Sequence, residues 1–254
     1  MEGRRPLIAG NWKMFKTGSE AVETAKALVQ LVADVTNVDI MIAPPFTALS
    51  QVSDVIKESR VSLGAQNLYW EKEGAYTGEI SPDMLVSSGC RYVIIGHSER
   101  RQYFNETDDT VNMKIGAALQ SGLIPIFCVG ESETERETDI TFSVLDIQLQ
   151  KGIEGFSSDD LEKLIVAYEP VWAIGTGKTA TRDQAQEVHQ FLRAKLENRF
   201  GNTLAKSIRI LYGGSTKPDN ISGLMEMPDV DGALVGGASL NAETFSGIVH
   251  FQVS

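Results

Sequence analysis

The chain has 254 residues, 42% hydrophobic and 22% charged, an ordinary balance for a soluble globular protein with ample length for a large core. Its 23 basic and 34 acidic residues give a formal charge of −11, which argues against nucleic acid or an anionic membrane as partner. Any anionic substrate would need positive potential concentrated at its site. Cys90 and Cys128 lie in apolar stretches, imply no disulfide framework and fit a reducing compartment. The apolar run after Arg4 and Arg5 is only Leu7-Ile8-Ala9, too short for a signal-peptide core, and no stretch approaches a membrane span. The expected location is the cytoplasm.

Taken in chain order, short apolar runs predict strands at Leu7–Asn11, Asp39–Ala43, Val61–Gln66, Tyr92–Gly96, Ile124–Val129, Leu164–Glu169, Ile208–Tyr212 and Gly232–Val235. Amphipathic segments separate them. Ala21, Ala25, Leu28 and Val32 recur at helical spacing, as do Val111, Ile115 and Ala118, and then Val188, Leu192 and Leu196. Ser81, followed by Pro82, and Thr181 read as N-caps. Strands such as Tyr92-Val93-Ile94-Ile95 are apolar on both faces, the pattern of parallel strands covered by helices. Eight strand–helix units of about 32 residues fit a single α/β domain over 1–254, a (β/α)8 barrel with a parallel eight-stranded core. The competing open doubly wound sheet lacks a Gly-x-Gly-x-x-Gly after its first strand. One long insertion, about 67–79, carries Tyr69, Trp70 and Tyr76. These rings either fold back on the chain's own surface or project into a partner subunit.

Chemistry-bearing residues gather where strands end: Asn11 and Lys13, then His97, Ser98 and Glu99, then Glu169, then Gly213-Gly214-Ser215, then Gly236-Gly237. In a parallel barrel these ends share one rim, where the active site lies. Glu169 closes an apolar strand, and apolar surroundings raise a carboxyl pKa and make a better base; the alternative is a structural glutamate paired with a cation. His97 enters a helix whose N-terminus favours the neutral imidazole; the alternative is a core histidine bonded to a carbonyl. Lys13 either neutralises an anionic ligand or is a solvated surface charge. The glycine pairs offer backbone N–H groups where barrels bind phosphate, although glycine pairs also make turns. His189 and His250 read as structural or solvated, which leaves no histidine metal site. The segment at about 170–178, Pro170-Val171-Trp172-Ala173-Ile174-Gly175-Thr176-Gly177-Lys178, is apolar in the middle and reads as a lid or as a static loop.

These motifs together resemble the triosephosphate isomerase family over essentially the whole chain. Gly10–Met14, Gly96–Arg101, Ala167–Gly177, Tyr212–Ser215 and Leu234–Leu240 are similar to its motifs and stand in the same order. The resemblance implies interconversion of D-glyceraldehyde 3-phosphate and dihydroxyacetone phosphate through an enediolate, in glycolysis and gluconeogenesis, with no cofactor and no metal. It implies that Glu169 is the base and His97 the neutral electrophile, with Asn11 and Lys13 supporting the developing oxyanion. Lys13 would also face the phosphate, which Gly175, Ser215, Gly236 and Gly237 would hold through backbone N–H groups. Glu99 would position Lys13, Ser98 would set the surroundings of the histidine, and Cys128 would be packing near the site. A homodimer is implied, with Thr77 reaching the partner's site. Phe15 and Thr216 depart from the family's usual residues; Phe15 bears on the dimer surface and Thr216 on the phosphate loop. Another phosphate-binding barrel and a non-catalytic binding protein on this scaffold are the competing readings, and the presence of Glu169, His97 and Lys13 argues against both.

Overall fold

The rhythm of apolar runs and amphipathic segments closes on itself. In a computed structural model that describes residues 4–173 and 179–252, eight strands are hydrogen-bonded side by side in chain order, all parallel, and the last returns to the first. They are β1 (Leu7–Asn11), β2 (Asp39–Ala43), β3 (Val61–Ala65), β4 (Cys90–Ile95), β5 (Ile124–Val129), β6 (Ile165–Tyr168), β7 (Arg209–Tyr212) and β8 (Gly232–Val235). Leu7 sits opposite both Asp39 and Gly232, so the ring closes through β1. Between strands run α1 (Gly18–Leu31), α2 (Leu49–Ile56), α3 (Pro82–Ser87), α4 (Ser98–Tyr103), α5 (Asp108–Gln120), α6 (Glu133–Glu137), α7 (Thr141–Gly152), α8 (Arg182–Phe200), α9 (Asn202–Ser207), α10 (Ile221–Met225) and α11 (Ala242–Val249).

Successive strand residues point to opposite faces, and here both faces are dry. Leu7, Ala9, Tyr92, Ile94 and Leu211 fill the lumen in one cluster, while Ile8, Ile42, Val93, Ile95 and Val166 join the larger cluster under the helices. Helical spacing does the rest. Ala21, Ala25 and Leu28 are the buried stripe of α1, and Val188, Leu192 and Leu196 that of α8; each fully buried leucine contributes about 2 kcal/mol of transfer free energy. The expected caps form: the Ser81 hydroxyl accepts from Met84 N–H at 3.3 Å, and that of Thr181 from Gln184 N–H at 3.1 Å.

Charge is concentrated at the N-terminal end of the barrel. Arg193 reaches Asp229 at 2.5 Å and Asp231 at 2.6 Å, and donates to the carbonyls of Ala205 and Ile208. Arg4 pairs with the other oxygen of Asp231 at 2.5 Å. Arg209 at the start of β7 reaches Asp39 at the start of β2, at 2.8 Å. His189 lies nearby, wholly buried, with Nδ1 3.1 Å from the Asp229 carbonyl; burial pushes its pKa down from 6.5 to about 4, so it is neutral. It is structural, as the sequence suggests.

In the insertion after β3, Tyr69 lies against Trp70 and Tyr76 at ring separations of 4.0 and 4.7 Å, while residues 71–79 are exposed. The rings therefore pack on one another. Among the described residues no helix is long and apolar enough to cross a membrane, and no group of three or more His, Cys, Asp or Glu could hold a metal ion.

Candidate active site at the strand C-terminal rim

The parallel ladder carries every strand end to one rim, and there Asn11, Lys13, His97, Glu169, Ser215, Gly236 and Gly237 line a single cavity of about 360 Å³. Of the remaining residues singled out from sequence, Ser98 and Glu99 sit directly behind this wall. Gly175 and most of the expected lid lie outside the described residues. The part that is described, Pro170–Ala173, is tied to Glu131 at the end of β5: Val171 N–H donates to its carbonyl at 3.1 Å and Trp172 Nε1 to its carboxylate at 2.8 Å. Tyr168 and Arg136 bond the same carboxylate oxygen, at 3.1 and 3.0 Å.

Glu169 follows β6 directly, its N–H donating to the Val129 carbonyl at 2.8 Å. Two glycines make room for it. A Cβ on Gly130 would stand 1.9 Å from the Glu169 carbonyl oxygen, and one on Gly213 2.9 Å from Glu169 Cγ. The carboxylate is buried and faces three donors. His97 Nε2 is 2.9 Å from Oε1, Ser98 N–H donates to Oε2 at 2.9 Å, and the Ser98 hydroxyl lies 3.5 Å from Oε1. Ser98 thus bonds the glutamate, and the glutamate in turn bonds His97.

His97 caps α4, and its Nδ1 accepts the Glu99 N–H at 3.2 Å. That bond places the proton of a neutral imidazole on Nε2, aimed at the cavity and at Glu169. Gly96, just before it, donates to Glu106 at 2.8 Å, and Glu106 is gripped by Arg100 and Lys114, each at 2.7 Å. Lys13 is 2.5 Å from Glu99. Its backbone is left-handed, with φ 51°, a strained conformation for a side-chain-bearing residue, held because Lys13 N–H bonds Asn11 Oδ1 at 3.0 Å and Gln66 donates to its carbonyl at 2.8 Å.

The electrostatics depart from expectation. Burial raises the Glu169 pKa, but His97, the Ser98 N–H and Lys13 outweigh it and hold the carboxyl below its ordinary value. Burial lowers that of His97, but the facing carboxylates of Glu169 and then Glu99 carry it above. The expected raised glutamate and depressed histidine are thus reversed in this geometry, because the two groups touch each other, a pairing across 72 residues that local apolar context does not reveal.

On the wall expected to hold phosphate, the backbone N–H groups of Ser215, Gly236 and Gly237 meet no acceptor among the described residues. Thr216 is buried, its hydroxyl donating to the Gly214 carbonyl at 3.3 Å, so it braces the loop. Phe15 is 55% exposed and lines the cavity mouth. Sequence reasoning missed Gln66, Glu106, Glu131 and Lys217. Gln66 and Glu131 carried the signal used for the others, a polar residue just past an apolar strand.

Comparison with known proteins agrees with this geometry. The model of the family described as triosephosphate isomerase matches residues 6–252. The chain is 57% identical over 249 residues to the triosephosphate isomerase of Geobacter metallireducens, covering 98% of this chain and 99% of that one. It is 56% identical over 250 residues to that of Carboxydothermus hydrogenoformans, covering 98% and 100%. The crystal structure of triosephosphate isomerase from Bartonella henselae superposes with a TM-score of 0.87 at 41% identity, covering 96% of this chain and 97% of that one.

Proposed function

The chain belongs to the triosephosphate isomerase family and interconverts D-glyceraldehyde 3-phosphate and dihydroxyacetone phosphate; from that premise we propose that Glu169, His97, Lys13 and Asn11 carry the reaction. The observation that supports this assignment is that one buried carboxylate, one imidazole with its proton directed inward, one ammonium and a set of unspent backbone N–H groups face the same cavity.

A substrate carbonyl oxygen seated at His97 Nε2 stands where Glu169 now bonds. The glutamate loses the partner that most lowers its pKa, burial then dominates, and it becomes the stronger base the reaction needs. Its carboxylate takes the proton from the carbon next to the carbonyl. The electron pair moves onto the oxygen, where His97 Nε2–H and the Lys13 ammonium meet the developing charge and Asn11 supports them. His97 Nε2–H gives its proton to that oxygen and takes up the hydroxyl proton of the adjacent oxygen. Glu169, now protonated, returns its proton to the carbon that bore the carbonyl, and the enediolate becomes the other triose phosphate. Glu99 fixes both the Nδ1 side of His97 and the Lys13 ammonium. Ser215, Gly236, Gly237 and Gly175 hold the phosphate. Closure of the segment at about 170–178 would keep water from the enediolate, which could otherwise expel phosphate.

The same reading takes the whole chain as one domain working in the cytoplasm, in glycolysis and gluconeogenesis. It also makes the protein a homodimer, in which the exposed loop at about 67–79 brings Thr77 to the partner's site. Support comes from apolar exposure on and near that face: Tyr76 is 43% exposed, Met84 51% and Met14 94%. Sedimentation of the purified chain at dimer mass checks the assembly. The test of the base is isomerisation by purified protein with chelator and no added cofactor. Wild type should turn over, and Glu169→Gln should lose ~10³-fold or more in kcat, within the range for removing a general base. Equal turnover in the two would remove Glu169 from the mechanism.

A further inference from the structure

The charges of the cavity do not by themselves favour its substrate. Among the described residues that line it, Lys13 and Lys217 are cationic and Glu169 is anionic. Lys13 stands 2.5 Å from Glu99, so at a distance the two charges cancel. Without Lys217, what remains is Glu169 set in a chain of net charge −11. A triose phosphate carries a charge between −1.5 and about −2 near neutral pH, like any phosphate monoester. It therefore approaches against repulsion unless something at the rim offsets it.

Lys217 is placed to do so. It lies two residues after Ser215, on the loop that follows β7, and it is exposed. Its ammonium has no ion pair, hydrogen bond or ring contact among the described residues. Its backbone, in contrast, is fixed. Lys217 N–H donates to Asn220 Oδ1 at 2.8 Å, and Asn220 Nδ2 donates back to the Ser215 carbonyl at 3.1 Å. The root of the side chain is thus tied to the segment that offers the Ser215 N–H, while its charge is left unspent.

We propose that Lys217 is a capture cation: it draws the phosphate of an approaching triose phosphate to the rim, raises the rate of productive encounter, and thereby selects phosphorylated over neutral trioses. It acts at range and touches neither the reacting carbons nor their oxygens. Rim charges change association and its salt dependence more than the events after binding. A hydrated, exposed ammonium acting in this way forfeits no hydration, so no desolvation cost offsets the attraction. The proposal rests on the phosphate lying against Ser215, Gly236 and Gly237.

The experiment is kcat/KM for D-glyceraldehyde 3-phosphate as a function of ionic strength, for wild type, Lys217→Gln and Lys217→Glu. At ~0.01 M salt, where the screening length is about 30 Å, kcat/KM should fall roughly 3- to 10-fold in Lys217→Gln and further in Lys217→Glu. Both should converge on wild type near ~1 M salt, with kcat unaltered throughout. Phosphate-free D-glyceraldehyde should be turned over equally by all three. A deficit that persists at high salt, that falls on kcat, or that appears equally with D-glyceraldehyde would assign Lys217 a merely structural role and overturn the proposal, as would no deficit at low salt. Competitive inhibition by inorganic phosphate separates this from the placement beneath it. A Cβ on Gly237 meets no atom within 4 Å, so Gly237→Val would build into open space at the cavity wall. Loss of phosphate inhibition in Gly237→Val with wild-type kinetics in Lys217→Gln would sink the capture role alone; retained inhibition in Gly237→Val would sink the placement as well.

Discussion

At the N-terminal end of the barrel Arg193 spends its guanidinium on two carboxylates and three carbonyls, whereas at the C-terminal rim Glu169 and His97 face each other across the edge of an open cavity. Both ends use buried or half-buried charges, and both sit where strand ends leave backbone groups to satisfy. The difference lies in what the partners are. At the N-terminal end each charge is answered by groups in or just before the strands, so the network joins the starts of β1, β2, β7 and β8. At the rim Glu169 and His97 are also each other's partners, and a substrate oxygen at His97 Nε2 takes the place of the glutamate. The same physical interaction is structural when its partner cannot be exchanged and chemical when it can.

That division can be broken from either side. The largest expected effect is on stability. Arg193→Met removes the cation from Asp229 and Asp231, of which Asp231 is only 5% exposed, and should cost about 3–5 kcal/mol in urea unfolding while kcat stays at the wild-type value. A comparable loss of kcat in the folded variant would show that the two ends are not separable. Next, Lys13→Met removes an oxyanion partner and should cost ~10²–10³-fold in kcat/KM with little change in the unfolding midpoint. A variant that unfolds early instead would make Lys13 a structural residue.

A smaller effect sharpens the comparison through pH. His189 has a folded pKa of about 4 against an ordinary 6.5, so the unfolded chain binds its proton first as pH falls. The stability tied to the neutral ring is complete above pH 6.5 and is lost between there and pH 4, by about 3 kcal/mol. His189→Gln should flatten the dependence of unfolding free energy on pH across that window. An undiminished slope would place the proton-linked group elsewhere. Glu169 contributes in the same sense at lower pH: its depressed carboxyl favours the folded state above its ordinary pKa of 4.5 and ceases to as pH falls through its folded value.

Much of this was legible in the residues alone. Hydrophobic runs bounded by turn residues located β1, β2, β5 and β8 to the residue, and the parallel barrel followed from strands apolar on both faces. The other four strands differ at their ends for local reasons. Arg91 is exposed and breaks the apolar run, so the start of β4 at Cys90 was hidden. Ile208 looks like strand, but its N–H closes the last turn of α9 on Leu204. Leu164 N–H likewise turns back to Leu161 before β6 begins. At the site, position was readable because parallel topology forces strand ends onto one rim. The state of the groups was not: the Glu169–His97 contact, the grip of Glu106 on Gly96 and the brace of Gln66 on Lys13 are distances between remote residues, and periodicity carries no information about them.

The central claim is that Glu169 moves a carbon-bound proton while His97 and Lys13 hold the oxygen. The most direct measurement is deuterium incorporation into dihydroxyacetone phosphate equilibrated with the protein in D₂O, followed by proton NMR. Wild type should place one deuterium at the carbon bearing the hydroxyl, and Glu169→Gln should not, while inorganic phosphate still protects both proteins against thermal unfolding. Undiminished exchange in folded, phosphate-binding Glu169→Gln would contradict the account and require a different base.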